Sequence, residues 1–289
     1  MQKTFTLLFI LLLTTEQSRS ATFCVKNSME LDAALQTAGL NGESDLIKIA
    51  NGTYISDGTG FGYNGPIDFD IEISGGWSLF LGNFCGIQVY STPFNTVIDG
   101  NHSNRAFYIE PSNSSDVKVT NLMFTNGVAP VDQRGGGLNV QTLQSYMGNI
   151  SILNNAFINN TAKFGGGLKA TGNKMYIMNN LFVANHSIIN ANISLISNFS
   201  TGVYFINNTV LNNTTDNTLK NSYAGVYISV NKPSAAYIAN NIISNNDFHD
   251  LRINGDGEIH LINNNIDGTY LGTPTQEFGN FIGRVDRHS

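Results

Sequence analysis

The sequence predicts an all-β fold: a single-stranded parallel β-helix with three short strands per coil and an N-terminal capping helix. Three observations predict it: an internal repeat, a period-two apolar pattern within the repeat, and a composition rich in corner-forming residues. The repeat reads apolar-x-apolar-x-Asn-Asn-x-apolar-x-x-Asn. It occupies residues 117–127 (VKVTNLMFTNG), 150–160 (ISILNNAFINN), 175–185 (MYIMNNLFVAN), 203–213 (VYFINNTVLNN), 236–246 (AYIANNIISNN) and 259–269 (IHLINNNIDGT). Successive copies start 33, 25, 28, 33 and 23 residues apart, the range of solenoid repeats. Only 12% of residues are charged, while 40 Asn and 29 Gly serve an all-β chain with many corners.

Residues 1–20 read as a secretory signal peptide. Lys3 opens it, residues 5–13 are almost wholly apolar, and Ser18 and Ser20 precede Ala21 as small residues. The apolar run is too short to span a bilayer, and no other segment is long and apolar enough. The expected location is therefore secreted, extracellular or cell-surface, with the periplasm as an alternative. The whole chain carries a formal net charge of −6, and losing Lys3, Arg19 and Glu16 with the leader makes it one unit more negative. Such a surface argues against nucleic acid and anionic lipid as partners. In an exported chain, Cys24 and Cys85 are expected to form one disulfide.

Residues 21–289 form one domain in this reading. Residues 28–38 (SMELDAALQTA) carry a Ser cap, an early Glu30 and apolar spacing at Met29, Leu31, Ala34 and Leu35. They predict a helix that plugs an open solenoid end, where a bare sheet edge would otherwise be exposed. Residues 46–55 predict the first strand and its turn, and the surroundings of 71–73 and 97–98 predict two irregular coils. Residues 117–269 form the regular coils and 270–289 an irregular tail.

Within the coils, period-two apolar positions mark strands buried on one face. The first strand turns inward Val117/Val119, Ile150/Ile152, Met175/Ile177, Val203/Phe205, Ala236/Ile238 and Ile259/Leu261. A second inward column is Phe124, Phe157, Phe182, Val210, Ile243 and Ile266. A third strand buries Leu138/Val140, Leu168/Ala170, Ile193/Leu195, Val226/Ile228 and Leu251/Ile253. Asn121, Asn154, Asn179, Asn207, Asn240 and Asn263 form a corner column. Asn tolerates the left-handed bend there, and stacked on itself it is expected to form an amide ladder.

Two groups of residues carry a family resemblance. LDAALQTA, followed by DLIKIANGTY and GGW, is similar to exported bacterial proteins of the pectin-lyase-like, right-handed parallel β-helix type. GGGL at 135–138 and 165–168, with FINN at 157–160 and FVAN at 182–185, resembles the GG-apolar and FxxN repeats of polymorphic outer-membrane proteins. The resemblance implies a right-handed coil and export. It also implies that any catalytic cleft lies on the outer face of a parallel sheet, walled by loops. A lyase of this kind needs Asp or Glu ligands for calcium and an Arg or Lys base. A hydrolase would show NTD, DD, GHG and RIK strings, and none of these occurs.

The densest polar cluster is DFHDLR at residues 247–252. Asp247, His249, Asp250 and Arg252 are the candidate catalytic residues, with Arg252 pointing outward because Leu251 and Ile253 point in. Asp132, Arg134, Lys163 and Lys220 are expected on the same loop edge. A solvated edge accommodates such charges equally well, because function is argued from the site and not from the fold. The candidate ligand-binding residues are Tyr176, Tyr204 and Tyr237, which with Lys118, Ser151 and His260 take the outward positions of the first strand. Rings in a row suit sugar faces, and equally suit lateral strand packing. Tyr227 and Arg252 lie outward on the third strand. His102, His186, His249 and His288 show no metal spacing, so no metal site or cofactor is expected. Calcium enters only under the lyase reading.

The functional expectation is an exported, non-catalytic surface or extracellular module that contacts polysaccharide or another envelope component. The alternatives are a polysaccharide lyase or related carbohydrate-active enzyme, and an adhesive or structural protein that self-associates through an open C-terminal end.

Overall fold

Short strands that bury alternate residues, separated by residues able to bend sharply, cannot hide their apolar side alone and stack instead. The computed structural model describes residues 20–57, 60–65, 68–81, 84–89, 92–130, 133–218 and 222–283, and they wind into a parallel β-helix with three faces. The signal-peptide reading falls on residues outside this set, apart from Ser20.

The first face runs from Ser20–Val25 and Ser44–Ala50 through Val117–Thr120, Asn149–Leu153 and Ala235–Ala239 to Gln276–Phe278, all paired in parallel. The second face stacks nine strands from Gly52–Ile55 to Phe281–Ile282. The third runs from Phe61–Asn64 through Phe107–Glu110, Leu138–Val140 and Tyr223–Val230 to Tyr270–Leu271. Leu168–Met178 and Ile193–Ile206 each supply a rung to both the third and first faces. All three inward columns read from the sequence are buried in the interior. Along the second face, Phe124, Phe157 and Phe182 stack ring on ring at 5.1 and 4.7 Å.

The corners separate two roles that the sequence reading gave to one Asn column. Asn121, Asn154, Asn179, Asn207, Asn240 and Asn263 take the left-handed conformation, with φ between 52° and 59°. In that column Asn154 donates to Asn121, and the buried amide ladder is built by the next residue: Asn155, Asn180, Asn208, Asn241 and Asn264, ending on Asn280. Each before Asn280 donates from its backbone N–H and Nδ2 to Oδ1 of the residue one coil on, for example Asn180 to Asn208 at 3.0 Å from both atoms. A residue at the bend turns its side chain outward, whereas its successor points in. A second ladder at the next corner joins Asn160, Asn185, Asn213 and Asn246.

Ser28–Ala38 forms the expected helix and buries Leu31, Ala34, Leu35 and Ala38 over the first coil. Its cap is Asn27 rather than Ser28. Asn27 Oδ1 accepts from the Glu30 N–H at 2.9 Å, and Glu30 in turn accepts from the Lys26 N–H at 2.9 Å, a reciprocal arrangement of the capping-box kind. Met29 faces solvent. A strand unforeseen in the sequence, Ser20–Val25, precedes the helix and pairs with Ser44–Ala50. A second unforeseen feature is an antiparallel hairpin, Ile71–Phe80 with Phe84–Gln88, which leaves Phe80, Phe84 and Ile87 exposed. The Cys24–Cys85 disulfide joins that hairpin to the first rung. The region read as an irregular tail continues the solenoid, with Tyr270–Leu271, Gln276–Phe278 and Phe281–Ile282 adding to all three faces. Among the described residues no helix is long and apolar enough to cross a membrane.

Candidate functional site: a basic groove on the third face

Since inward and outward residues alternate, the third face carries one outward column in strict register: Tyr108, Asn139, Lys169, Ser194, Tyr227 and Arg252. At the normal interstrand spacing this column is roughly 24 Å long. Two cavities open over it. The larger, about 770 Å3, is lined by residues including Arg105, Tyr108, Asn139, Gln141 and Lys169. The smaller, about 210 Å3, is lined by residues including Phe164, Ser194, Tyr223 and Tyr227. Arg134 and Lys169 line both cavities, and among the described residues neither is lined by an Asp or Glu.

The wall of the groove is built by two Gly-Gly-Gly turns. Gly135 and Gly165 have φ of +67° and +68°, where a Cβ is strained. A Cβ on Gly136 would lie 2.4 Å from the Thr161 carbonyl oxygen and 2.7 Å from that of Gly166. Arg105 fastens the first of these turns. Its Nε donates to the Gly135 carbonyl at 2.9 Å, and its Nη2 donates to the Arg134 carbonyl at 2.8 Å and to Gln133 Oε1 at 2.9 Å. Arg105 is thus a buried structural cation, its pKa lowered by burial. It fixes the segment that presents the exposed Arg134 side chain, whose guanidinium lies 5.7 Å from the Phe164 ring centre. Tyr108 donates to Glu110 at 2.8 Å, and burial, followed by that carboxylate, pushes its hydroxyl up to about 12.

Lys169 lies at the junction of the two cavities. It is 3% exposed, and its Nζ donates to Ser194 Oγ at 3.3 Å. Burial, then the charge of Arg134, pushes it down to about 7. A desolvated ammonium beside another cation loses its proton readily.

The four candidate catalytic residues are drawn to different partners. Asp250 is buried at the end of the second Asn ladder. Its Oδ1 accepts from Asn246 Nδ2 at 2.7 Å and its Oδ2 from the Gly268 N–H at 2.6 Å. Burial nevertheless raises its pKa, outweighing those hydrogen bonds. His249 is bonded to Thr269 Oγ1, and Asp247 accepts from the Thr215 N–H at 3.2 Å. Arg252 lies over the Tyr223 ring at 5.2 Å. Asp247 and Asp250 line an edge cavity of about 470 Å3 that is lined by neither His249 nor Arg252. Asp267 lines the same cavity, and among the described residues no group of three or more His, Cys, Asp or Glu is placed to hold a metal ion. Asp132, Lys220 and His288 lie outside the described residues.

Tyr176, Tyr204 and Tyr237 do form the expected outward column. The rings stack on one another at 5.1 Å, and His260 extends the stack at 4.5 Å from Tyr237. Their faces are therefore turned to each other, leaving edges and hydroxyls to the solvent. Lys169 and Arg105 were not singled out in the sequence. The signal was present, because Lys169 sits between the inward Leu168 and Ala170 in the same template that places Tyr227 and Arg252 outward. No family model, curated protein or solved structure matches the chain.

Proposed function

We propose that the chain is an exported, non-catalytic binding module for a linear acidic polysaccharide, which lies along the third face. The observation that carries this reading is a groove whose described lining includes Arg105, Arg134 and Lys169 and no carboxylate, on a protein whose formal net charge is −6. A groove of one sign on a surface of the other focuses field and selects counter-charged ligands. Arg105, Arg134 and Lys169 fall on three successive rungs, and with Arg105 committed to protein oxygens the exposed charge is that of Arg134, which suits one acidic group every few sugars rather than the charge density of nucleic acid. The polar side chains of Asn139, Gln141 and Ser194 and the rings of Tyr223 and Tyr227 supply hydroxyl-bonding and apolar surface. The pectin-lyase-like resemblance motivates this reading, and the leader read from residues 1–20 motivates a place at the cell surface or outside the cell.

Affinity electrophoresis in gels containing acidic or neutral polysaccharides tests the reading. Retardation by acidic polymers alone, weakened by salt, is expected. Equal retardation by neutral polymers, or none by either, would reject it. One observation favours a second reading, polysaccharide elimination: Lys169 is an amine near neutrality placed to take a proton beside a carboxyl group. New absorbance from an unsaturated product, lost in Lys169→Met, would move the protein to that class.

A further inference from the structure

Among the described lysines only Lys169 is buried. Lys118 pairs with Glu72 at 2.9 Å and Lys26 with Glu30 at 3.6 Å. Lys48 lies over the Trp77 ring, and Lys174 lies over Tyr176 with its pKa raised. Lys169 pairs with no carboxylate among the described residues, and its neighbours on the adjacent rungs, Asn139 and Ser194, are neutral. The titratable groups among the described residues that line the cavities around it are Arg105 and Tyr108 from two coils before, Arg134 from the loop wall, and Tyr223 and Tyr227 from two coils after. None of them is an acid that would hold a proton on the amine. The side chain is buried, yet it borders both cavities, so a small reagent in the groove meets it.

We infer that Lys169 is a carbonyl-capturing amine, condensing reversibly with an aldehyde or ketone whose acidic group is held by Arg134. A lysine becomes nucleophilic when it is desolvated or set beside another cation, and both conditions hold here, consistent with its descent to about 7. The Nζ lone pair of the neutral amine forms the N–C bond while one Nζ proton passes to the carbonyl oxygen, giving a carbinolamine. The hydroxyl then leaves with the second Nζ proton as water, and the nitrogen electron pair forms the C=N bond. No electrons change hands, and no other reactant is required. Arg134, exposed at the mouth and shared by both cavities, pairs with the acidic group. The inference uses the groove described above but does not depend on its occupant being a polymer.

The test uses the intact protein with two aldehyde probes, pyridoxal phosphate and pyridoxal, at limiting concentration. Adducts are fixed with borohydride and located by peptide mass mapping. The expected adduct is on Lys169 ahead of every other lysine, with extent rising through a midpoint of about 7. The phosphorylated probe should be favoured about tenfold, the size of one charge-assisted contact, and Arg134→Ala should abolish the preference. Labelling spread evenly over exposed lysines, labelling of Lys169 only after unfolding, or no preference between the probes would overturn the inference. These readings come from the wild-type chain and one surface variant, so none waits on a buried substitution folding. Polysaccharide retardation measured on the same samples is a separate readout, so the failure of one reading is distinguishable from failure of the other.

Discussion

Lys169 puts an amine where neither bulk water nor a carboxylate stabilises its charge. Its folded pKa is about 7 against 10.5 for the ordinary side chain. Between those values the unfolded chain holds a proton that the folded chain lacks, so this group makes stability rise with pH across that window. Below about pH 7 both states are protonated and the burial cost is felt in full. Lys169→Met is therefore expected to be more stable than wild type by a few kcal/mol in mild acid, with the gap closing toward pH 10.5. Urea melts of both proteins across that range check it, and a gap independent of pH would refute it. The tyrosines make a contrasting prediction. With their faces spent on one another, replacing Tyr176, Tyr204 and Tyr237 together by Ser should leave polysaccharide binding within about twofold while lowering stability by roughly 0.5–1.5 kcal/mol per lost ring pair. Loss of binding in a folded triple variant would restore that column as the site.

At the scale of the element, the Asn ladders define what each coil corner tolerates. Asn185 receives the Asn160 N–H and Nδ2 on its Oδ1 and donates from Nδ2 to the Phe157 carbonyl and Asn213 Oδ1. Asn185→Ala removes four buried hydrogen bonds, leaving the Asn160 N–H without its acceptor while Asn160 Nδ2 and Asn213 Oδ1 each keep one partner, and should cost about 3–5 kcal/mol. The ladder ends where Thr269 replaces the next amide, and Asp250 reaches in to accept from Asn246. An end position only receives donors, which is why a carboxylate serves there. Asn185→Asp should hence destabilise more than Asp250→Asn, since the former sets a carboxylate against two acceptor oxygens and the latter loses only the Gly268 bond. Chemical denaturation of the two variants decides the order, and the reverse order would refute the ladder account. The ladders also show how far the sequence could be read. Period-two apolar residues such as Leu168/Ala170 located every buried column, because burial on one face imposes that pattern. The pattern is blind to which Asn of a pair points in, since both are polar and adjacent. It is blind as well to Asp250, whose role depends on Asn246 at the preceding corner and Gly268 of the following coil. Ser20–Val25 and the Trp77-containing hairpin belong to no repeat and left no periodic trace.

Over the whole molecule, a solenoid whose coils touch only their neighbours has no remote contact to compensate for a weak end. The N-terminal end has the helix and the Cys24–Cys85 bond, which closes a sequence separation of 61 residues. Reduction should remove about 2–4 kcal/mol, and hydrogen exchange should show the loss in the strands before residue 100 while coils after residue 150 keep their protection. Uniform loss along the chain would mean that the coils unfold as one unit. The same linear architecture makes the groove long and regular, one outward residue per rung from Tyr108 to Arg252. The central claim is that this groove, with its cations and no carboxylate among its described lining residues, is where an acidic polysaccharide binds. The most direct measurement is titration calorimetry of an acidic oligosaccharide into wild type, Arg134→Ala and the triple Tyr variant at two salt concentrations. The account predicts salt-sensitive binding that Arg134→Ala weakens about tenfold, or roughly 1.4 kcal/mol, and that the Tyr variant retains. Binding that ignores both salt and Arg134, or that vanishes with the tyrosines in a folded protein, would contradict it.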